Sequence, residues 1–272
     1  PDFIRAQKDI AGASVGDELA RIGYRGAHPC GAVPGGMFAA YFEAHIEQGP
    51  VLEAQSLPIG IVTGALGQQW YDVTVTGMDA HAGPTPMALR HDALLAAARM
   101  VEAVNHIALS EAPHGRGTVG YLQVLPNSRN VIPGQVQFSV DFRNLSQDGL
   151  DRMDAALRAA LAQIAGATQV QVDVVQVVKY EPCLFDAHCV ASVRHAAERL
   201  QLPHMDVVSG AGHDAVYVNG VAPTGMIFVP CKDGISHNEI EDALPEHIAA
   251  GANVLLLAML AYWGIGMPVG AG

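Results

Sequence analysis

The sequence predicts an α/β fold in two domains, with a small βαββαβ unit inserted into a larger α/β domain whose two pieces flank it. Three observations predict it. The first is burial capacity: 272 residues, half of them hydrophobic and only 15% charged, suffice for two cored domains and exclude a disordered or fibrous chain. The second is a change of texture near residue 69, where β-branched alternation and Ala-rich helical spacing set in. The third is the return of a helix, a Gly-rich bend and an apolar strand after residue 180. The expected division is 1–68 with 181–272 for the larger domain, and 69–180 for the inserted one.

Residues 16–22 read as a short helix and residues 24–36, rich in Gly and Pro, as loop. Residues 38–46 (FAAYFEAHI) alternate loosely in apolar character and IEQGP closes them as a turn, so a strand places His45 near its end. YDVTVTG is a strand, and residues 86–106 carry apolar side chains at helical spacing. GTVGYLQVL and VQFSVDFR are strands joined through PNSRNVIPG, residues 150–164 form a second amphipathic helix, and VQVDVVQVV is a last strand. This order gives a ferredoxin-like sheet with both helices on one face, leaving an edge strand or a helix face open to a second subunit. Beyond Pro182 come a helix over 187–200, the bend SGAGHDA, the strand TGMIFVP, the loop CKDGISHNEIE and a terminal helix. Its apolar run, residues 249–263, has the composition of a buried helix and is shorter than the roughly 20 residues a membrane span requires.

Charge and cysteines narrow the function. A formal charge of −12 disfavours nucleic acid and anionic membrane surfaces, leaving a small molecule or a protein as partner. Cys30, Cys183, Cys189 and Cys231 form no CxxC pair or disulfide framework, which predicts reduced thiols in a cytoplasmic protein. The first residues, PDFIRAQKDIAGAS, hold charges and no apolar h-region, unlike a signal peptide.

Polar residues concentrate where apolar strands end, in HIEQGP, DAHAGPTP, SRNVIPG, DFRN and ISHNEIE. His45 and His237 sit in turn-rich segments with Glu43, Glu47, Glu239 and Glu241 nearby, which makes half a metal site or two loop histidines. His81 lies between a strand and the helix start at Pro84 and Thr85, where a held imidazole can donate to a developing oxyanion. Asp141 and Arg143 share a strand face, so the guanidinium can take a substrate carboxylate or simply pair with Asp141. The Asn130 amide can donate and accept, as a ureido group demands, or serve its turn. SGAGHDA lacks the GxGxxG of a nucleotide loop; His213 and Asp214 could be base and orienter of a serine hydrolase, although no GxSxG accompanies them.

Taken in order around a βαββαβ unit, HIEQGPVLE, GMDAHAGPTPM, NVIPG, DFR, SGAGHDA and GISHNEIE resemble the M20 metallopeptidase superfamily, in its amidase, hydantoinase and carbamoylase branch. The resemblance runs from about residue 38 onward. It implies a zinc-peptidase-like catalytic α/β domain interrupted by a dimerisation or lid domain. It also implies metal-dependent hydrolysis of the ureido C–N bond in N-carbamoyl-L-amino acids, or in allantoate or ureidoglycolate. A divalent pair (Zn, Mn or Co) would take His45 on one metal and His237 on the other. His81 would face the oxyanion and Arg143 the substrate carboxylate, with Asn130 from the same lid, Gln48 lining the pocket, and His213 or the backbone beside it touching substrate. Such enzymes are homodimers in which His81 and Asn130 complete the neighbour's site. The family's H-x-D motif, bridging aspartate and adjacent Glu-Glu pair have no counterpart in the 44 residues before His45. The expectation is therefore a fragment that binds metal weakly and does not turn over alone. A non-catalytic dimerising or binding module is the alternative from another class.

Overall fold

The computed structural model describes residues 6–9, 11–26 and 38–264. Its elements begin with α1 (Val15–Arg21), β1 (Tyr41–Ile46), α2 (Val51–Ala54), β2 (Ile59–Ala65), β3 (Gly67–Thr76) and β4 (Ala80–His81). They continue with α3 (Ala93–Ser110), β5 (Arg116–Thr118), β6 (Leu122–Leu125), β7 (Val131–Ile132), β8 (Gln135–Asn144), α4 (Gln147–Thr168) and β9 (Gln171–Tyr180). Last come β10 (Cys183–Leu184), α5 (Ala187–Arg199), β11 (His204–Ser209), α6 (Asp214–Val218), β12 (Thr224–Val229) and α7 (Pro245–Tyr262). Four of the helices start on a capping side chain: Ser14, Asp92, Ser146 and Asp186 accept from first-turn N–H groups that would otherwise lack partners.

One sheet gathers the strands on either side of the insertion. β1 runs parallel to β12, β12 antiparallel to β2, and β11 parallel to β2, while β10 adds a short antiparallel pair at the end of β2. α5 and α7 pack on each other and on β2 and β12. Ile59, Ile61 and Val62 of β2 form the core there with Val193 and Ala197 of α5, Phe228 of β12 and Val254 and Ala258 of α7. Close approach sets the helix position: a Cβ added at Gly251 would lie 2.6 Å from Val229 Cγ1.

The second sheet is antiparallel in the order β5–β8–β3–β9, with β6 also on β8. Counting β5 and β6 as one interrupted edge, this is the strand order of a βαββαβ unit. Tyr71, Val73 and Val75 of β3 and Val136, Phe138, Val140 and Phe142 of β8 face Ala96, Met100 and Val104 of α3 and Met153, Leu157 and Leu161 of α4. Period-two alternation therefore turns Trp70 and Asp72, with Asp141 and Arg143, to the helix-free face. β4 and β7 form a separate two-stranded ribbon.

Several local expectations are corrected. The helix read over 86–106 begins only at Ala93, because Asp92 caps it, and Met87–Leu89 is a 3-10 turn. GTVGYLQVL is two strands, broken at residues 119–121 where Gly120 removes a side chain. β2 and β11 carry no clean alternation and were not anticipated; β2 is covered along nearly its whole length, so both faces are apolar. The terminal helix is not buried all round: it buries Gly251, Val254 and Ala258 and leaves Ile248, Leu256, Met259 and Trp263 exposed. Most of the loop read over 24–36, and Cys30 within it, lies outside the described residues. Cys183, Cys189 and Cys231 are free thiols, and no described helix is long and apolar enough to cross a membrane.

Candidate active site

A cleft of about 420 Å³ opens between the two sheets. Gln48, Gly212 and His237 reach it from the flanking pieces, and Gln68 and Arg143 from the inserted unit. Residues predicted from four separate motifs thus share one wall. Gln48 donates from Nε2 to Ser236 Oγ at 2.9 Å, and the His237 backbone N–H donates to Glu241 Oε2 at 3.1 Å. The Ser236 hydroxyl, and then that backbone N–H, hold the Glu241 carboxyl below the usual carboxylate range. Gln48 and His237 both have φ 56°, so the two turns that present them are left-handed at the presenting residue.

Arg143 is committed through all three of its nitrogens, but not through all of its N–H groups. Its Nε and Nη2 donate to the Asp141 carboxylate, Nη2 at 2.6 Å, and Nη1 donates to the Gly210 carbonyl. The pairing with Asp141 considered from the sequence is real, and the bond to Gly210 ties β8 to the loop after β11. A guanidinium carries five N–H groups, so one remains on each terminal nitrogen, the pair that can hold a carboxylate oxygen apiece.

His45 is the penultimate residue of β1, with Nδ1 2.8 Å from the Ile46 carbonyl. A carbonyl only accepts, so the proton sits on Nδ1 and Nε2 keeps its lone pair, the arrangement of a metal-ligating imidazole. The loop after β11 folds His213 against it: the rings are edge-on with centroids 4.8 Å apart. His213 is buried, its Nε2 2.6 Å from Ser209 Oγ and its Nδ1 3.9 Å from Glu43 Oε1. Burial, and then the neighbouring His45, push its pKa down to about 4, so the ring is neutral at pH 7 and its approach to Glu43 is not an ion pair. Glu43 instead accepts from the Ala215 N–H at 2.7 Å and the Tyr41 hydroxyl at 3.2 Å. His213 therefore lies behind the cleft wall, which Ala211 and Gly212 form in front of it.

His81 and Asn130 are brought together elsewhere, in the ribbon, where Ala82 N–H donates to the Asn130 carbonyl at 2.9 Å. They are not among the residues lining the cleft. His81 Nδ1 accepts from Gly83 N–H at 3.0 Å, which puts the neutral ring's proton on the exposed Nε2 and makes it a donor. Glu47 is taken up locally, accepting from the Val51 and Leu52 N–H groups at the start of α2. Among the described residues no three His, Cys, Asp or Glu side chains gather into a metal-holding group. His45 fits a metal, and the described residues do not compose a centre around it.

Trp70, Tyr180 and Tyr217 also line the cleft and were missed from the sequence. The available signal was alternation on β3, which sends Trp70 to the face opposite Tyr71 and Val73.

The fold is an α/β sheet interrupted by a βαββαβ unit, with an arginine, an amide and an imidazole at the junction. Residues 3–261 match Peptidase family M20/M25/M40, and the chain belongs to this family, as the motifs implied. It is 47% identical over 259 residues to the N-carbamoyl-L-amino-acid amidohydrolase of Rhizobium meliloti, covering 95% of this chain and 62% of that protein. It is 35% identical over 226 residues to the ureidoglycolate hydrolase of Arabidopsis thaliana, covering 82% and 48%. The crystal structure of an amidase of the hydantoinase/carbamoylase family from Burkholderia multivorans matches with a TM-score of 0.90 and 57% identity, over 96% of this chain and 63% of that one. The chain thus spans less than two thirds of the length of these relatives.

Proposed function

We propose that this chain supplies the substrate grip of an amidohydrolase that splits the ureido group of N-carbamoyl-L-amino acids, consuming water and releasing ammonia, carbon dioxide and the amino acid. The observation that carries the reading is Arg143 in the cleft with an N–H left on each terminal nitrogen, beside Gln48 and the Gly212 backbone. Arg143 takes the carboxylate as a fork. Gln48 and the backbone of Ala211 and Gly212 face the ureido end, and His213 supports that backbone through Ser209, which bonds the Ala211 N–H. His81, with its proton on Nε2, and Asn130 stabilise the developing oxyanion once the ribbon is brought to a cleft. The inserted unit, residues 69–180, is the lid and dimerisation domain, so that ribbon belongs to a neighbouring copy of the chain. Enzymes of this family generally use divalent metal ions. A zinc, manganese or cobalt pair would find His45 and His237 as ligands here, short of a complete set among the described residues. This reading includes a cytoplasmic location, where thiols such as those of Cys183, Cys189 and Cys231 stay reduced.

Allantoate and ureidoglycolate present the same carboxylate and ureido groups, and the 35% identity to a ureidoglycolate hydrolase keeps them as the second reading. Calorimetry of the chain with N-carbamoyl-L-alanine, its carboxamide, allantoate and ureidoglycolate tests both. The carbamoyl acid is expected to bind most tightly and its carboxamide least. Equal binding of acid and carboxamide removes Arg143 from its role, and no binding by any ureido acid overturns the reading.

A further inference from the structure

A carboxylate and a ureido group leave one wall of the cleft unused. Trp70, Tyr180 and Tyr217 converge on it, with Leu66 and Val216 beside them. Sheet register sets their relation to the carboxylate grip: Arg143 is opposite Gln68, Gln68 is opposite Tyr180, and Trp70 follows two residues on along β3. Trp70 is thus the diagonal neighbour of Arg143 on one face, at a separation of roughly 7–8 Å that an aromatic group spans. Tyr217 comes from α6 in the other lobe and lines the cleft together with Tyr180. The three side chains are 38%, 51% and 66% exposed, so none is spent on the protein's own core.

The geometry points to a side-chain subsite: the cleft selects ureido acids whose α-carbon carries an aromatic or large apolar group, with Trp70 and Tyr217 as specificity-determining residues. This rests on the proposed carbamoyl-amino-acid reading. With the carboxylate on Arg143, the α-carbon stands next to the aromatic wall, and its substituent meets the exposed ring surfaces. A phenyl group there removes apolar area from water on both partners and can take an offset or edge-on ring geometry. A hydrogen or methyl substituent leaves those rings wet. Glu181 lies on the same wall and offers a competing preference, for a cationic side chain.

The test is calorimetric titration of the chain with N-carbamoyl-L-phenylalanine, N-carbamoyl-L-alanine and N-carbamoyl-L-arginine. The phenylalanine derivative is expected to bind at least about tenfold more tightly than the alanine derivative. Trp70→Ala should bring that ratio towards one and Trp70→Phe should retain most of it, whereas Arg143→Lys should weaken both ligands by the same factor. Trp70 and Trp263 are the two tryptophans of the chain, so in Trp263→Phe the emission reports Trp70 alone. That emission should change with the phenylalanine derivative and not with the alanine derivative. Comparable affinities for the phenylalanine and alanine derivatives, tighter binding of the arginine derivative, or a ratio that survives Trp70→Ala and Tyr217→Ala together overturns the subsite alone. Failure of every ureido acid to bind overturns the hydrolase reading, and the subsite with it.

Discussion

Ser209 Oγ lies 2.6 Å from His213 Nε2, the spacing of a nucleophile and its base, yet Ser209 is 0% exposed. The hydroxyl also accepts the Ala211 N–H at 3.1 Å, so it is a fixed member of the loop that forms the cleft wall. A covalent serine mechanism needs the hydroxyl to reach a substrate carbonyl. A fluorophosphonate probe is therefore expected to leave Ser209 unmodified, as read by peptide mass. Labelling at Ser209 would revive the serine-hydrolase alternative. Ser209→Ala leaves a buried imidazole nitrogen without its partner and should cost about 1–3 kcal/mol in urea unfolding.

His213 gives the metal-free chain an acid-sensitive stability. Its folded pKa, about 4, lies below the ordinary value of 6.5, so between these values the unfolded chain binds the proton and the folded chain does not. The contribution is whole above about 6.5, is lost as pH falls towards 4, and changes no further below that. The loss should be on the order of 2 kcal/mol. Urea midpoints measured from pH 7 to 4 should show it, and His213→Gln should flatten that part of the profile. An unchanged slope in His213→Gln would assign the sensitivity to other groups.

Arg143→Lys keeps the charge and loses the fork, along with the geometry of the bond to Gly210. Affinity for N-carbamoyl-L-alanine should fall by about tenfold or more, the scale of one charge-assisted hydrogen bond. Calorimetry giving the same affinity as the parent chain removes the carboxylate role.

β9 is an edge strand of the inserted sheet, with Val175 and Val177 half exposed, and α3 exposes Leu94, Leu95 and Leu109. Such an edge is commonly closed by a second copy about a two-fold axis. Sedimentation at tens of micromolar should report twice the chain mass. Val175→Lys with Val177→Lys should shift it towards the monomer. A parent chain that sediments as a monomer would also remove the neighbour's His81 and Asn130 from the proposed site.

The described residues gather no group of three metal donors, and Glu47, the carboxylate nearest His45 in the turn, is occupied at the start of α2. The chain by itself is expected to hold zinc, manganese or cobalt weakly and to release no appreciable ammonia from N-carbamoyl-L-amino acids. Robust turnover with added metal would mean that a carboxylate such as Asp214 serves as base.

What the sequence determined by itself is the order of most elements and the identity of the polar groups. β3, β8 and β9 alternate and α3 and α4 repeat at helical spacing, because each has one covered face, and that pattern is local. Arg143 and His237 were legible for a similar reason, since strand ends and turns leave a short-range mark, whereas Gln48 came from the family resemblance alone. β2 escaped because burial on both faces erases alternation. Only the tertiary structure decided what those groups do together. It paired Arg143 with Asp141 and left an N–H on each terminal nitrogen, put His213 behind the wall, and set His81 and Asn130 apart from the cleft. It also joined Trp70, Tyr180 and Tyr217 into one surface. These relations depend on sheet register and on the packing of two lobes, which bring together side chains as far apart as Gln48 and Ser236, 188 positions, and which no local pattern encodes.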